Sequence, residues 1–346
     1  MATTGGPDAS ATGNTHVSGA SRLLDVANAA GVSLRTASRV LNDDPRVAPV
    51  TRQRVREAML DLRFQPDAMA RSLRAGTDTA IGFVVESIAD PFFAEVIDAV
   101  ELEMSRHGRS VLVTSTRRDA GRERDVVERM LQRRVAGLLL CPASETHSWL
   151  DTRRVPVVLV DRPAPGLSVD LVEIDDYRAA FDGVAHLIAH GHQCIAYVGD
   201  TPAIPTSAAR LRGYRDALAQ HRVEADEQLV NCDCPTSHAA ARAVSALIGG
   251  SRRPTAILSA TTRASLGVVP ALHSAGRTDI ALVAFGDFPM ADALRPAVTV
   301  VDHPGHELGR VAAARLLARL GQPGLPVERI QVPVRIIERG SGELRP

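Results

Sequence analysis

From residue 79 to residue 286, short unbroken apolar runs alternate with amphipathic helical patterns, and this constrains the fold more than any other feature of the chain. TAIGFVV (79–85), SVLVTS (110–115), VAGLLLC (135–141) and VPVVLVD (155–161) read as buried strands, with helical patterns over Phe92 to Arg106 and Glu123 to Gln132 between them. A second series starts near Leu171. Helix Tyr177 to His190, strand 194–200, helix Ala208 to Gln220, a helix around 237–248, strand 255–260, helix Ser265 to Ser274 and strand 280–286 follow in turn. Strands that are apolar throughout, each followed by a helix, predict parallel sheets covered on both faces. The expected fold is α/β, with two doubly wound lobes. A late helix from Pro304 to Leu320 returns to the core, and VERIQVPVRIIER near the C-terminus reads as an antiparallel edge strand. Such sheets take ligands at the C-terminal ends of their strands.

Ahead of this core lies a different pattern. Val26, Ala27 and Ala30 make a small apolar helical face, and Gly31 follows where a helix end needs a residue that tolerates positive φ. Ser33 is placed to cap a second helix, in which Ala37, Val40 and Leu41 point inward and Leu34, Arg35, Ser38 and Arg39 point outward. A third helix opens at Pro49 with a stripe of Val55, Ala58, Met59 and Leu62. This all-α unit is a helix-turn-helix, whose second helix enters the DNA major groove.

The same residues resemble the LacI family of transcriptional regulators. Its pattern is met by Asp25-Val26-Ala27, by Ala30-Gly31-Val32-Ser33 and by Thr36 through Asn42. Its hinge pattern is met by Pro66, Ala70, Arg71, Ser72 and Leu73. The resemblance runs over nearly the whole chain and implies that the two-lobed core is periplasmic-binding-protein-like. It divides the chain into a disordered tail (1–20), a helix-turn-helix headpiece (21–65), a hinge helix and linker (66–77) and an effector-binding and dimerisation domain (78–346). It also implies roles. Arg39 falls on the base-reading position, Leu34 and Arg35 on the positions that set operator choice, and Thr36 and Ser38 near phosphates. Arg22, Ser33 and Asn42 complete the headpiece contacts, and Ala70, Arg71 and Leu73 those of the hinge, where Leu73 would wedge into the minor groove. Three positions depart from the family pattern: Asp67 replaces Asn, Ala48 replaces a capping Ser, and Arg22 replaces Thr, leaving Ser21 as a possible cap.

In the core the resemblance assigns effector contacts to Phe92, Phe93, Asp161, Arg162, Asp176, Arg210 and Asp287. A sugar needs planar polar groups and an apolar face, and Arg162 with Arg210 leave room for a sugar acid. Relatives often carry Asp where Gly286 stands and Asn or Asp where Thr261 and Thr262 stand, so the third ligand-facing segment is less acidic here.

Charge and cysteine content bound the rest. All 40 basic residues are Arg and balance 40 acidic ones, yet residues 22–76 hold ten Arg against six acids, a local excess suited to phosphates. The first 20 residues have no basic stretch followed by an apolar run and do not read as a signal peptide, which points to the bacterial cytoplasm. Four Cys without a disulfide pattern agree with a reducing compartment. Cys232, Cys234 and His238 lack a fourth ligand for zinc, so no metal or cofactor is expected. Asp161 and Asp287 could pair as a hydrolase's carboxylates, but no nucleophile motif or phosphate loop accompanies them, and the expectation is no enzyme. The expected partners are palindromic double-stranded DNA, a small carbohydrate-class effector and a second copy of the chain, since no heptad tail suggests a tetramer. The alternative is a sugar-binding module without switched DNA release.

Overall fold

A computed structural model describes residues 22–41, 43–64 and 80–346. The tail, Ser21, Asn42 and the hinge, including Pro66, Asp67, Ala70, Arg71 and Leu73, lie outside the described residues. The chain divides into two compact units, Met1–Gly76 and Thr77–Pro346.

In the first unit, α1 spans Leu23–Ala29, α2 Leu34–Leu41 and α3 Pro49–Asp61. Gly31 turns the chain at φ +62°, a left-handed conformation that costs glycine little. Val26, Ala27, Ala30, Ala37, Val40, Val47, Val55 and Ala58 form its core, and Leu23, Val32, Met59, Leu62 and Phe64 pack around them. The sequence expectation for all three helices is met.

The second unit has two six-stranded sheets. The first lobe holds β1 (Ile81–Val85), β2 (Val111–Ser115), β3 (Gly137–Leu140), β4 (Val157–Val160), β5 (Asp170–Glu173) and β11 (Arg329–Gln331), in the order β11-β5-β4-β3-β1-β2. Every pairing in this sheet is parallel. The second lobe holds β6 (Ile195–Val198), β7 (Val230–Asn231), β8 (Ala256–Ser259), β9 (Ala281–Phe285), β10 (Thr299–Asp302) and β12 (Arg335–Ile337), in the order β12-β10-β9-β8-β6-β7. Here only the β10–β12 pairing is antiparallel. Helices α4 (Pro91–Arg106), α5 (Ala120–Gln132) and α10 (Gly305–Gly321) serve the first sheet. Helices α6 (Asp176–Ala189), α7 (Pro205–Gln220), α8 (Ser237–Gly249) and α9 (Thr262–Ser274) serve the second. The starts are chemically set: Asp90, Asp119, Asp175, Thr236 and Thr261 each accept a hydrogen bond from a first-turn N–H of α4, α5, α6, α8 and α9.

The chain passes between the lobes after β5, after β10 and between β11 and β12. This corrects two expectations. The second lobe starts after β5, because the segment at Leu171 is itself a strand of the first sheet. The C-terminal run is not one edge strand. It pairs parallel to β5 as β11, breaks around Pro333, which has no N–H to donate, and pairs antiparallel to β10 as β12.

Candidate functional site

The exposed side of α2 carries the first candidate site. Ser33 Oγ accepts the Thr36 N–H at 3.1 Å and lies 2.9 Å from the Thr36 hydroxyl, so cap and first turn are tied together. Leu34 is 48 % exposed, Arg35 is exposed, and Ser38 and Arg39 are half-buried. Arg39 Nε sits 3.8 Å from Asp44. That carboxylate is gripped by Arg46 at 2.8–2.9 Å, and its hydrogen bonds hold the Asp44 pKa at about 2. Asp44 therefore stays anionic at any working pH and gives Arg39 a loose, exposed tether. Arg22 lies just before α1, where its backbone N–H donates to Asp25 at 2.8 Å. Ala48 occupies the N-cap of α3 and offers no side-chain acceptor.

The second candidate site lies between the lobes, where the strand ends meet. Glu86 follows β1 and is nearly buried. Three guanidiniums converge on it: Arg118 at 2.8 Å, Arg162 at 3.1 Å and Arg263 at 3.0 Å. Burial alone would raise its pKa, but these three cations outweigh burial and hold it at about 2. Arg162 also bonds Asp161 at 2.9 Å. Arg210 donates to Asp176 at 2.7 Å and to the Ala260 carbonyl at 2.9 Å, with its guanidinium 3.8 Å above the Phe285 ring. Asp176 is buried, and loss of water lifts its pKa to about 7 despite Arg210.

His303, just after β10, stacks on Phe92 at 3.8 Å with ring planes 17° apart. Burial, helped by Arg210 and Arg162, pushes its pKa well below the usual histidine range and keeps it neutral. Its Nε2 has no hydrogen-bond partner among the described residues and lies 3.9 Å from Asp161. As the lobes stand, the cavity between them measures about 50 Å³. Pockets that hold drug-sized ligands run to roughly 300 Å³ or more, so binding such a ligand requires the lobes to part.

Two compact units, one a helix-turn-helix and one a two-lobed receptor, carry matching family signatures. Residues 22–67 match the model of bacterial regulatory proteins of the lacI family, and residues 184–342 match a periplasmic binding protein-like domain. The HTH-type transcriptional regulator GalR of Salmonella typhimurium is 32 % identical over 88 % of this chain and 91 % of its own length. The ribose operon repressor of Escherichia coli is 31 % identical over 92 % of this chain and 99 % of its own. The chain belongs to the LacI family. Among solved structures, the lac repressor dimer bound to operator and the anti-inducer ONPF is similar at TM-score 0.81 and 25 % identity, covering 94 % of this chain and 99 % of that one. This LacI-family chain is thus a DNA-binding transcriptional regulator, and its relatives are regulators rather than enzymes.

Within that family frame, the structure sorts the sequence expectations for the cleft. Phe92, Phe93, Asp161, Arg162 and Arg210 line it together. Asp176 stands behind Arg210. Asp287 does not line it: its carboxylate is held by Arg339 at 2.5–2.9 Å, which corrects the expected ligand role. One face of Phe92 is taken by His303, Phe93 packs against it in a T-shaped pair, and the residue is buried, so it is not an open platform for a sugar ring. Arg162 already carries carboxylate partners in Asp161 and Glu86, so it is not a spare cation for a sugar acid.

Sequence reasoning missed Glu86, Asp90, Arg118, Asp200, Arg263 and His303, all of which line the cleft. Applying the strand-end rule to each strand would have found Glu86 after β1 and Asp200 after β6. His303 was hidden because β10 was not read as a strand. Among the described residues, no cluster of His, Cys, Asp and Glu could hold a metal, and no helix is long and apolar enough to cross a membrane. Cys141, Cys194, Cys232 and Cys234 are free thiols.

Proposed function

We propose that this regulator is a dimeric repressor of the bacterial cytoplasm whose grip on a palindromic operator is set by a small polyhydroxylated effector in the interlobe cleft. The observation that carries the reading is one chain bearing both a helix-turn-helix with an exposed, cationic α2 and a cleft lined mostly by polar side chains from strand ends and helix starts. In this reading Arg39 contacts guanine, Leu34 and Arg35 set operator choice, and Ser33, Thr36 and Ser38 position α2 against phosphates. Arg22 and Asn42 add headpiece contacts, and Ala70, Arg71 and Leu73 serve the minor groove.

The effector contacts are Phe93, Asp161, Arg162 and Arg210, with Phe92 and Asp176 supporting them. The cleft guanidiniums of Arg118, Arg162 and Arg263 already bond carboxylates, which favours an uncharged polyol over a sugar acid. A similar solved structure, at 26 % identity and TM-score 0.68, is a transcriptional regulator CelR–cellobiose complex.

The test is fluorescence anisotropy of the full chain on palindromic sites from the intergenic DNA beside its gene. Tight binding to such a site, lost when its half-sites are scrambled, is expected. Equal affinity for every sequence would overturn the reading.

A further inference from the structure

The cleft is tied across its mouth as well as lined. Arg118, after β2 in the first lobe, reaches Asp200, after β6 in the second, at 2.5 Å. Arg263, in the first turn of α9 in the second lobe, reaches back to Asp90 at 2.6 Å and to Glu86 at 3.0 Å in the first. Both ties therefore cross from lobe to lobe, in opposite charge sense. They are well shielded: the carboxylate side chains of Glu86, Asp90 and Asp200 are 7 %, 11 % and 5 % exposed, and the guanidinium side chains of Arg118 and Arg263 27 % and 21 %.

We infer that these two ion pairs form a latch that closes the lobes with no effector present, and that an effector acts by replacing the latch rather than by drawing open lobes together. The inference rests on the reading of the cleft as the effector site. Three features support it. The space left between the lobes, about 50 Å³, is too small for a sugar. Partly buried pairs are weakly screened by salt, so the latch persists at physiological ionic strength. Glu86 couples the two ties, because it bonds Arg118 and Arg263 at once and keeps Arg162 when either is lost. Parting the lobes therefore breaks both ties together and leaves Glu86 neutralised within its own lobe. A two-position equilibrium of this kind is shifted by a ligand only through its different affinity for the two positions. Here the ligand must offer hydroxyls to Asp200, Asp90 and Arg263 in place of their present partners.

The test is hydrogen exchange of the full-length protein without ligand, read by mass spectrometry on peptides covering 86–93 and 199–207. The variants are Asp200→Asn/Arg263→Gln, which removes the second lobe's charge from each tie, and Arg263→Lys, which keeps the charge but not the reach of the Arg263 Nη2 that bonds both Glu86 and Asp90. The double variant is expected to exchange at least about tenfold faster than wild type in both peptides, with Arg263→Lys between. Peptides from 137–140 and from the headpiece should be unchanged, which separates opening from misfolding. Wild type exchanging as fast as the double variant would overturn the latch. So would acceleration of the 137–140 peptide to the same extent in both variants. Because no effector is added, this result stands apart from the receptor reading, which fails separately if no polyol raises the melting temperature.

Discussion

Gly286 and Thr262 occupy one another's space: a Cβ at position 286 would lie 2.1 Å from the Thr262 hydroxyl oxygen. Gly286 also sits at φ +84°, and the Thr262 hydroxyl donates to the Phe285 carbonyl at 3.4 Å. The residue types at 286 and 262 are therefore linked. Once Thr262 places its hydroxyl there, only a residue without a side chain fits opposite. Gly286→Asp should destabilise the receptor unit by roughly 2–4 kcal/mol, through overpacking and backbone strain together. Gly286→Asp/Thr262→Ala should recover about half, because the clash is relieved and the strain is not. Urea unfolding of both variants measures this.

The Asp176–Arg210 pair makes a pH prediction. Burial raises the Asp176 pKa from 3.8 to about 7 in the folded chain. Because the folded state holds this proton more tightly than the unfolded state, the group's contribution is fully present below pH 4 and is lost as pH rises towards 7. The stability of wild type relative to Asp176→Asn should therefore fall across that window, by on the order of 1 kcal/mol per pH unit. Urea midpoints for both proteins at pH 4.5, 5.5 and 6.5 test it, and a constant difference would refute the assignment.

Ala48 leaves the start of α3 uncapped, with backbone angles of φ −55° and ψ 140° that a capping serine can adopt. Ala48→Ser should raise headpiece stability by about 1 kcal/mol and tighten binding to non-specific DNA. Headpiece exchange rates and anisotropy on random-sequence DNA report the two effects.

Arg39 stands on the exposed side of α2, 3.8 Å from Asp44. Arg39→Ala should cost about 1–3 kcal/mol per operator half-site and should narrow the gap between operator and scrambled DNA. Loss of affinity with the gap unchanged would make Arg39 a phosphate contact instead.

The sequence carried the architecture further than the site. The parallel strands are legible because β1, β3 and β4 are apolar at every position, as only strands covered on both faces are. β5 escaped because Asp170 and Glu173 occupy two of its four residues. They are buried there only because Arg315 and Arg319 neutralise Asp170 and Arg329 neutralises Glu173, from helix and strand far along the chain. The headpiece was legible almost whole, since Gly31 and Ser33 mark its turn by local chemistry. The cleft was read only where the family pattern spoke, at residues such as Asp161 and Arg210. The interlobe ties of Arg118 and Arg263 join residues 82 and 173 or more positions apart, a separation that no local pattern encodes. Asp287 misled because its strand-end position is right while Arg339, from the C-terminal segment, holds it elsewhere.

In the proposed function the cleft controls the headpiece. The most direct test of that control measures operator affinity of the full chain by anisotropy, with and without the uncharged polyol that most raises its melting temperature, in wild type and in Arg210→Ala. Wild-type operator affinity should change by at least about tenfold, a coupling of roughly 1.4 kcal/mol or more. The same polyol should produce no change in Arg210→Ala, whose affinity without polyol should stay within reach of the assay. A polyol that binds the wild-type protein tightly and leaves operator affinity unchanged would contradict it, since a ligand with equal affinity for both states shifts neither.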